Sequence, residues 1–110
     1  MSRVAKMALA VLLVWMVFTT PVWAATGGEG AQLFDLHCAG CHLNGGNIVR
    51  RGKTLKLPAL QRNGYDTVEA ITAIVSNGKG NMSAYKERLN PDQIAIVADY
   101  VLQQATQNWH

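Results

Sequence analysis

The sequence predicts an all-α fold, in which about four short helices wrap around one bound group. Two segments, 68–75 and 94–101, repeat apolar residues at helical period and follow capping residues. No segment reads convincingly as a β-strand. The third observation is the pattern Cys38-x-x-Cys41-His42, which indicates what the bound group is.

The pattern fits the attachment motif of a c-type haem. Two thiols at this spacing add to the vinyl groups of one porphyrin edge, and the next residue offers an imidazole to the iron. A redox dithiol, half of a zinc site and a disulfide are the alternatives. No βαβ pattern accompanies the cysteines, and no second ligand pair completes a zinc site. We therefore predict Cys38 and Cys41 as covalent haem thioethers and His42 as an iron ligand.

Residues 1–24 have the pattern of a secretory signal peptide. Two basic residues precede an apolar run of twelve, 7–18, and Ala24 ends a site of the kind that signal peptidase cleaves. A membrane anchor is the alternative, but a spanning helix needs about 20 apolar residues. We expect cleavage to leave 25–110 as one exported haem domain that is not anchored in a membrane.

The charge of this domain gives no reason to expect nucleic-acid binding. Without Arg3 and Lys6 the formal net charge falls from +3 to +1, and two haem propionates would make it negative. So short a domain also has little apolar material for a core. A covalently held haem would supply much of that core, as metals and disulfides do in other small domains.

The first predicted helix covers 29–37, after a flexible lead at 26–28. Gly30 and Phe34 lie four residues apart and therefore share one face of this helix. A glycine on that face would let another helix approach closely. We expect this face to meet the last helix near Tyr100.

Two further helices carry start signals in the sequence. Asp66 as N-cap and Glu69 three residues later predict a helix that stops at Gly78. Asn90 as N-cap, followed directly by a proline, predicts a last helix that runs to about Thr106.

The segment between the haem motif and the helix predicted to start at Asp66 reads as a basic loop. Its cations are Arg50, Arg51, Lys53, Lys56 and Arg62. Its leucines, which we expect to line the haem crevice, are Leu55, Leu57 and Leu60. The basic cluster fits a docking surface, a neighbourhood for haem propionates or a plain solvated loop, and the sequence leaves all three open.

A single methionine remains in 25–110, and it predicts the second axial ligand. A lone methionine is often a core gap-filler, but Met82 stands in a polar loop, forty residues after His42. His37 is too near His42 along the chain to reach the opposite haem face, and His110 is the chain end. We therefore predict Met82 as the distal ligand. A filled second axial position would favour electron transfer over gas binding and oxygen chemistry.

The order helix, C-x-x-C-H, loop, short helix, methionine loop and C-terminal helix resembles a class I cytochrome c. Within that class the chain is most similar to the cytochrome c6 family. The matching segments include Ile-Val-Ser-Asn-Gly-Lys at 74–79, Met-Ser-Ala-Tyr at 82–85, Asp-Tyr-Val-Leu at 99–102 and Trp109. The resemblance covers essentially all of 26–110.

The resemblance implies the class I cytochrome c fold, one covalent haem c and ligation by His42 and Met82. It implies a monomeric electron carrier in the thylakoid lumen or the periplasm, and not an enzyme. Its partners would be the cytochrome b6f complex as donor and photosystem I or a terminal oxidase as acceptor. Arg88 matches an arginine that the family uses towards photosystem I.

The chain departs from the family pattern near the distal ligand. Ser83 and Tyr85 replace a proline and a Phe or Trp, and Ile74 replaces a glutamine eight residues before the methionine. We expect Ile74 in the wall of the haem pocket, where the resemblance associates an aliphatic residue with a lower potential. The alternative function is thus a low-potential c6-like paralogue with a different redox partner. A haem-based peroxidase or sensor module is a further alternative, which needs an open iron site or an output domain.

Overall fold

Five α-helices make up the described part of the protein, a computed structural model that describes residues 26–110. They are α1 (Thr26–His37), α2 (Ala39–His42), α3 (Leu57–Asn63), α4 (Val68–Asn77) and α5 (Pro91–Thr106). Short 3-10 turns cover Leu43–Gly45 and Arg51–Lys53. Across 26–110 the backbone forms no strand, and the prediction of an all-α fold is confirmed.

The signal peptide predicted at 1–24 lies outside the described residues, so both it and the domain boundary at residue 25 stay predictions. Among the described helices α1 to α5, none has the length and apolar content to cross a bilayer.

The capping signals of α5 act as predicted, whereas those of α4 are shifted by one residue. Asn90 accepts a hydrogen bond from the Gln93 N–H at 2.8 Å, and the Gln93 side chain accepts from the Asn90 N–H at 2.9 Å. The N-cap of α4 is Thr67 and not Asp66. Thr67 has extended φ and ψ of −129° and 153°, and its hydroxyl accepts from the Ala70 N–H at 3.1 Å. Either side chain can cap, and the backbone bend decides between them.

Two helices differ from the prediction, one in where it starts and one in being present at all. α1 begins at Thr26, so the lead expected at 26–28 is helical. Glycine lowers helix propensity there without forbidding a helix. The helix α3 lies in a segment that reads as a loop. A proline in the first turn of α3 favours its start. Gly64, which has a left-handed φ of 78°, ends the helix. Seven residues span too few turns for a period to show.

The helices α1 and α5 cross at Gly30, as predicted. A Cβ at Gly30 would lie 2.7 Å from the Tyr100 Cβ, which no side chain tolerates. The rings of Phe34 and Tyr100 contact each other at 5.6 Å between centroids. The helix α4 packs against α5 from another side. The buried cluster that results contains Leu33, Phe34, Ile71, Val75, Leu89, Ile94, Val97, Ala98 and Val101.

The C-terminal residues fasten the haem-motif loop to this core. The Trp109 Nε1–H donates to the Leu55 carbonyl at 3.0 Å, and its ring lies 5.1 Å from that of Phe34. The ring also covers Gly45, where a Cβ would lie 2.4 Å from it. Gly45 has a positive φ of 78°, so both its conformation and its neighbour require glycine.

We predict that Gly30→Leu destabilises the haem-loaded protein by about 1–3 kcal/mol, because the added side chain overpacks the α1–α5 crossing. Gly28→Leu is the matched control, since a Cβ at Gly28 meets nothing within 4 Å. Urea unfolding followed by helical circular dichroism gives both free energies. Equal values for the two variants would show that the close approach at Gly30 contributes nothing.

Candidate functional site

One cavity brings together the predicted iron ligands, the two cysteines and Ile74. Its volume is about 430 Å³, within the range of cofactor pockets of roughly 300–1,000 Å³. Cys38, Cys41, His42, Ile74 and Met82 all line it. The apolar wall is completed by Phe34, Leu55, Leu60, Ile71, Val75 and Val101. Of the three leucines expected in the crevice, Leu57 is the one that lies outside the lining.

The cysteine motif lies at the junction of α1 and α2. Cys38 is the N-cap of α2, and its carbonyl accepts from the N–H groups of Cys41 at 3.2 Å and His42 at 3.0 Å. The His42 Nδ1 lies 2.8 Å from the Gly46 carbonyl oxygen. Because a carbonyl can only accept, Nδ1 donates the hydrogen bond, and in the neutral imidazole Nε2 then keeps its lone pair. This tautomer suits an imidazole that binds iron through Nε2.

The surroundings of the thiols disfavour the redox-dithiol alternative. Both cysteines are free, and burial raises the pKa of the Cys38 thiol to about 11. Redox-active dithiols depend on a lowered thiol pKa. The zinc alternative also lacks a ligand set, since no three His, Cys, Asp or Glu side chains converge on a metal-sized site in residues 26–110.

Met82 is positioned by a tight turn that follows α4. Gly78 ends α4 with a φ of 69°, and its N–H donates to the Ile74 carbonyl at 2.7 Å. Lys79 and Met82 then exchange two backbone hydrogen bonds of 3.0 Å each. A Cβ at Gly78 would lie 2.5 Å from the Met82 carbonyl oxygen, so a side chain there would displace the turn. Met82 is half-buried and contacts the hydrophobic core.

Tyr85 joins the methionine loop to the end of α1. Its hydroxyl donates to the His37 carbonyl at 2.9 Å, a bond between residues 48 positions apart. Its backbone N–H donates to the Val75 carbonyl at 2.9 Å. Burial raises the pKa of the Tyr85 phenol, so the hydroxyl remains a donor. The guanidinium of Arg88 lies 5.3 Å from the centre of the Tyr85 ring.

Asparagines order the loop at the polar rim of the cavity. The Asn47 side-chain oxygen accepts from the N–H groups of Val49 at 2.9 Å and Arg50 at 2.7 Å. Its amide donates to the Lys53 carbonyl at 3.0 Å. The Lys53 ammonium in turn donates to the Asn63 side chain at 3.2 Å. Asn47, Arg50, Lys53 and Asn63 thus form a polar edge to an otherwise apolar cavity.

Comparisons with known proteins agree with this geometry. The family described as "Cytochrome C oxidase, cbb3-type, subunit III" matches residues 25–101. A protein called "Cytochrome c6-like" from Nostoc sp. (strain PCC 7120) is 49% identical over 99% of both chains. The chain belongs to the cytochrome c6 family. The members of this family are electron carriers and not enzymes, and a covalently bound haem c is their cofactor.

Solved structures of the cytochrome c6 family share the fold. Cytochrome c6C from Synechococcus sp. PCC 7002 is 61% identical, with a TM-score of 0.70 over 72% of this chain and 96% of that one. Cytochrome c6B from Synechococcus sp. WH8102 is 53% identical, with a TM-score of 0.72 over 76% of this chain and 94% of that one. The predictions of the family, of the class I cytochrome c fold and of haem c as cofactor are confirmed.

The role of Tyr85 is what the sequence missed. In the sequence, Tyr85 stands out only as one aromatic residue in place of another, close to Ser83. The feature that could have revealed this role is the hydroxyl group of Tyr85, which the Phe or Trp of the family pattern does not have. Its acceptor, the His37 carbonyl, is distant in sequence, so only the folded chain reveals the pair.

We predict that Tyr85→Phe lowers the free energy of unfolding by about 0.5–1.5 kcal/mol, the usual loss for one hydrogen bond. Tyr100→Phe is the control, because it removes a phenol from the α1–α5 crossing and leaves the Tyr85–His37 bond intact. Since the pKa of Tyr85 is raised from 10.0, its contribution is present below that value and fades as the pH rises through the folded-state pKa. Urea titrations at neutral and alkaline pH test both statements. A Tyr85→Phe variant as stable as the wild type would show that the bond does not fasten the loop.

Proposed function

We propose that this chain is an exported one-electron carrier whose haem c is bound through Cys38 and Cys41 and ligated by His42 and Met82. The observation that supports this most is that all four side chains line one apolar cavity of cofactor size. When bound, haem supplies the one-electron redox chemistry. The chain's own task is to hold the iron ligands, exclude water and leave one edge open to partners.

Different contacts hold the two proposed axial ligands in place. The Gly46 carbonyl orients the His42 ring and leaves Nε2 free. The Gly78–Met82 turn and the Tyr85 hydroxyl hold the methionine loop. A thioether as second ligand fills the remaining axial position of the iron. A filled position favours electron transfer over oxygen chemistry. The proposal therefore excludes the peroxidase and sensor alternatives.

The family suggests the cellular setting. We propose that the signal peptide directs the chain to the thylakoid lumen or the periplasm, where it works as a monomer. Its donor would be the cytochrome b6f complex, and its acceptor photosystem I or a terminal oxidase. An alternative is a carrier of lower potential with a different partner. The position of Ile74 in the cavity wall favours it.

We predict that Met82→Ala abolishes the sulfur-to-iron absorption band of the oxidised protein and lowers its midpoint potential, since a thioether favours reduced iron. Ser83→Ala, at the exposed neighbouring position, should keep the band. Visible spectra and potentiometry of the two variants decide the matter. A band that survives in Met82→Ala would mean that another residue is the sixth ligand.

We predict that Ile74→Gln raises the midpoint potential and leaves the sulfur-to-iron band intact. Polarity and hydrogen bonding beside a haem set its potential, and the sign follows the family comparison. The matched control is Ala73→Gln, which places the same side chain on the exposed side of α4. Potentiometric titration measures both shifts. No change, or a downward shift, in Ile74→Gln would remove this residue from the control of the potential.

A further inference from the structure

The segment after α5 holds Trp109 in a backbone conformation that a bulky residue rarely adopts. Asn108 and Trp109 have positive φ values of 56° and 60°. The Trp109 N–H donates to the Gln104 carbonyl at 2.7 Å, so the chain folds back onto the last turn of α5. Strain of this kind persists only where the surrounding contacts require it. The contacts of the indole should therefore show what the turn is for.

The indole closes a ring of contacts with two loop residues. It lies so close over Gly45 that a Cβ there would be 2.4 Å from its Cε2 and Nε1 atoms. Its Nε1–H donates to the Leu55 carbonyl at 3.0 Å. The Leu55 N–H in turn donates to the Gly45 carbonyl at 2.8 Å. Gly45 is thus held from two directions, and both depend on Trp109.

Gly45 directly precedes the residue that orients the His42 ring. The Gly46 carbonyl oxygen lies 2.8 Å from the His42 Nδ1, and the Gly46 N–H donates to the Leu43 carbonyl at 3.0 Å. Two consecutive glycines have no side chains with which to fix their own backbone. The position of the Gly46 carbonyl therefore depends on what packs over Gly45, which is the indole.

Trp109 itself stands behind the cavity wall. It is half-buried and packs against the hydrophobic core, and in the described structure it is not one of the residues that line the cavity. Any influence on the cofactor site must therefore pass through its neighbours. The path through Gly45 and Gly46 to His42 is made of direct contacts at every step.

We propose that Trp109 is a positioning residue for His42: its indole fixes the Gly46 carbonyl and thereby sets the redox potential. The proposal rests on the proposed function, because it requires His42 to bind the iron. A hydrogen bond donated by a metal-bound imidazole raises the basicity of the ligand. A more basic ligand stabilises the oxidised iron. Loosening the Gly46 contact should therefore raise the midpoint potential.

A purely structural role for Trp109 makes a different prediction. An indole that only sealed the core would lower the stability of the protein when it was removed, without a particular effect at His42. Two measurements separate the roles. One is the rate at which the His42 Nδ1–H exchanges with solvent deuterium, followed by NMR in the reduced holoprotein. The other is the midpoint potential, measured by potentiometric titration.

Two substitutions of Trp109 remove different parts of its contact. Trp109→Phe keeps a ring that can cover Gly45 but has no N–H for the Leu55 carbonyl. Trp109→Ala removes both. The matched control is Val97→Ala, because Val97 is 1% exposed on α5 and, in the described structure, lies outside the cavity lining. Its truncation should destabilise the core without touching the Gly45 contact. Helical circular dichroism confirms that each holoprotein is folded.

We expect the Nδ1–H of Trp109→Ala to exchange about tenfold faster than in the wild type, the order of effect expected for one weakened hydrogen bond. Its equilibrium constant for reduction should rise about threefold to tenfold, which is about 30–60 mV for one electron. Trp109→Phe should show intermediate changes in both measurements. Val97→Ala should stay within about twofold in both although it is less stable, because its site is independent of the loop.

Other results overturn the proposal. Equal changes in Val97→Ala would mean that general loosening of the fold is responsible. A wild-type exchange rate, or an unchanged or lowered potential, in the folded Trp109 variants would show that the Gly46 carbonyl does not depend on the indole. If Trp109→Ala does not fold, Trp109→Phe against Val97→Ala decides. All these outcomes leave the ligation by His42 standing. An oxidised wild type whose His42 ring protons show no paramagnetic shift would instead refute that ligation, and the proposal with it.

Discussion

The close approach of α1 and α5 at Gly30 is the contact on which the rest of the structure depends. It places the Phe34 ring beside those of Tyr100 and Trp109, at 5.6 and 5.1 Å between centroids. It also fixes the direction in which α1 delivers Cys38 to the cavity. A small domain has few other contacts with which to set this geometry. One glycine therefore determines where the cofactor site can form.

Side chains that bond to distant carbonyls hold the loops around the cavity. Trp109 secures the Leu55 carbonyl and Tyr85 secures the His37 carbonyl, across 54 and 48 positions of sequence. The Leu55 carbonyl lies in a loop and the His37 carbonyl at the C-terminal end of α1, and each bond satisfies a backbone acceptor there. The two bonds thus fix loops on both sides of the cavity to parts of the chain that are distant in sequence.

The acidic and basic residues of the domain occupy different parts of the structure. Acids occupy the paired helices α1 and α5, and cations occupy the loop and α3 at the cavity edge. A nearly neutral protein can thus carry a strong dipole that orients it towards a partner.

The sequence by itself determined the all-α class, the haem motif, the caps of α5 and the family. These features are local, because a motif such as Cys38-x-x-Cys41-His42 acts within one helical turn. It also predicted five haem-site residues, Cys38, Cys41, His42, Ile74 and Met82, and the structure places all five in the lining of one cavity. Only the tertiary structure decided that Tyr85 closes the methionine loop and that Arg51 and Arg62 lie outside the cavity lining. Those facts depend on contacts between residues far apart in sequence, which local pattern cannot encode. The helix α3 escaped prediction for the opposite reason: it is local but too short to show a period.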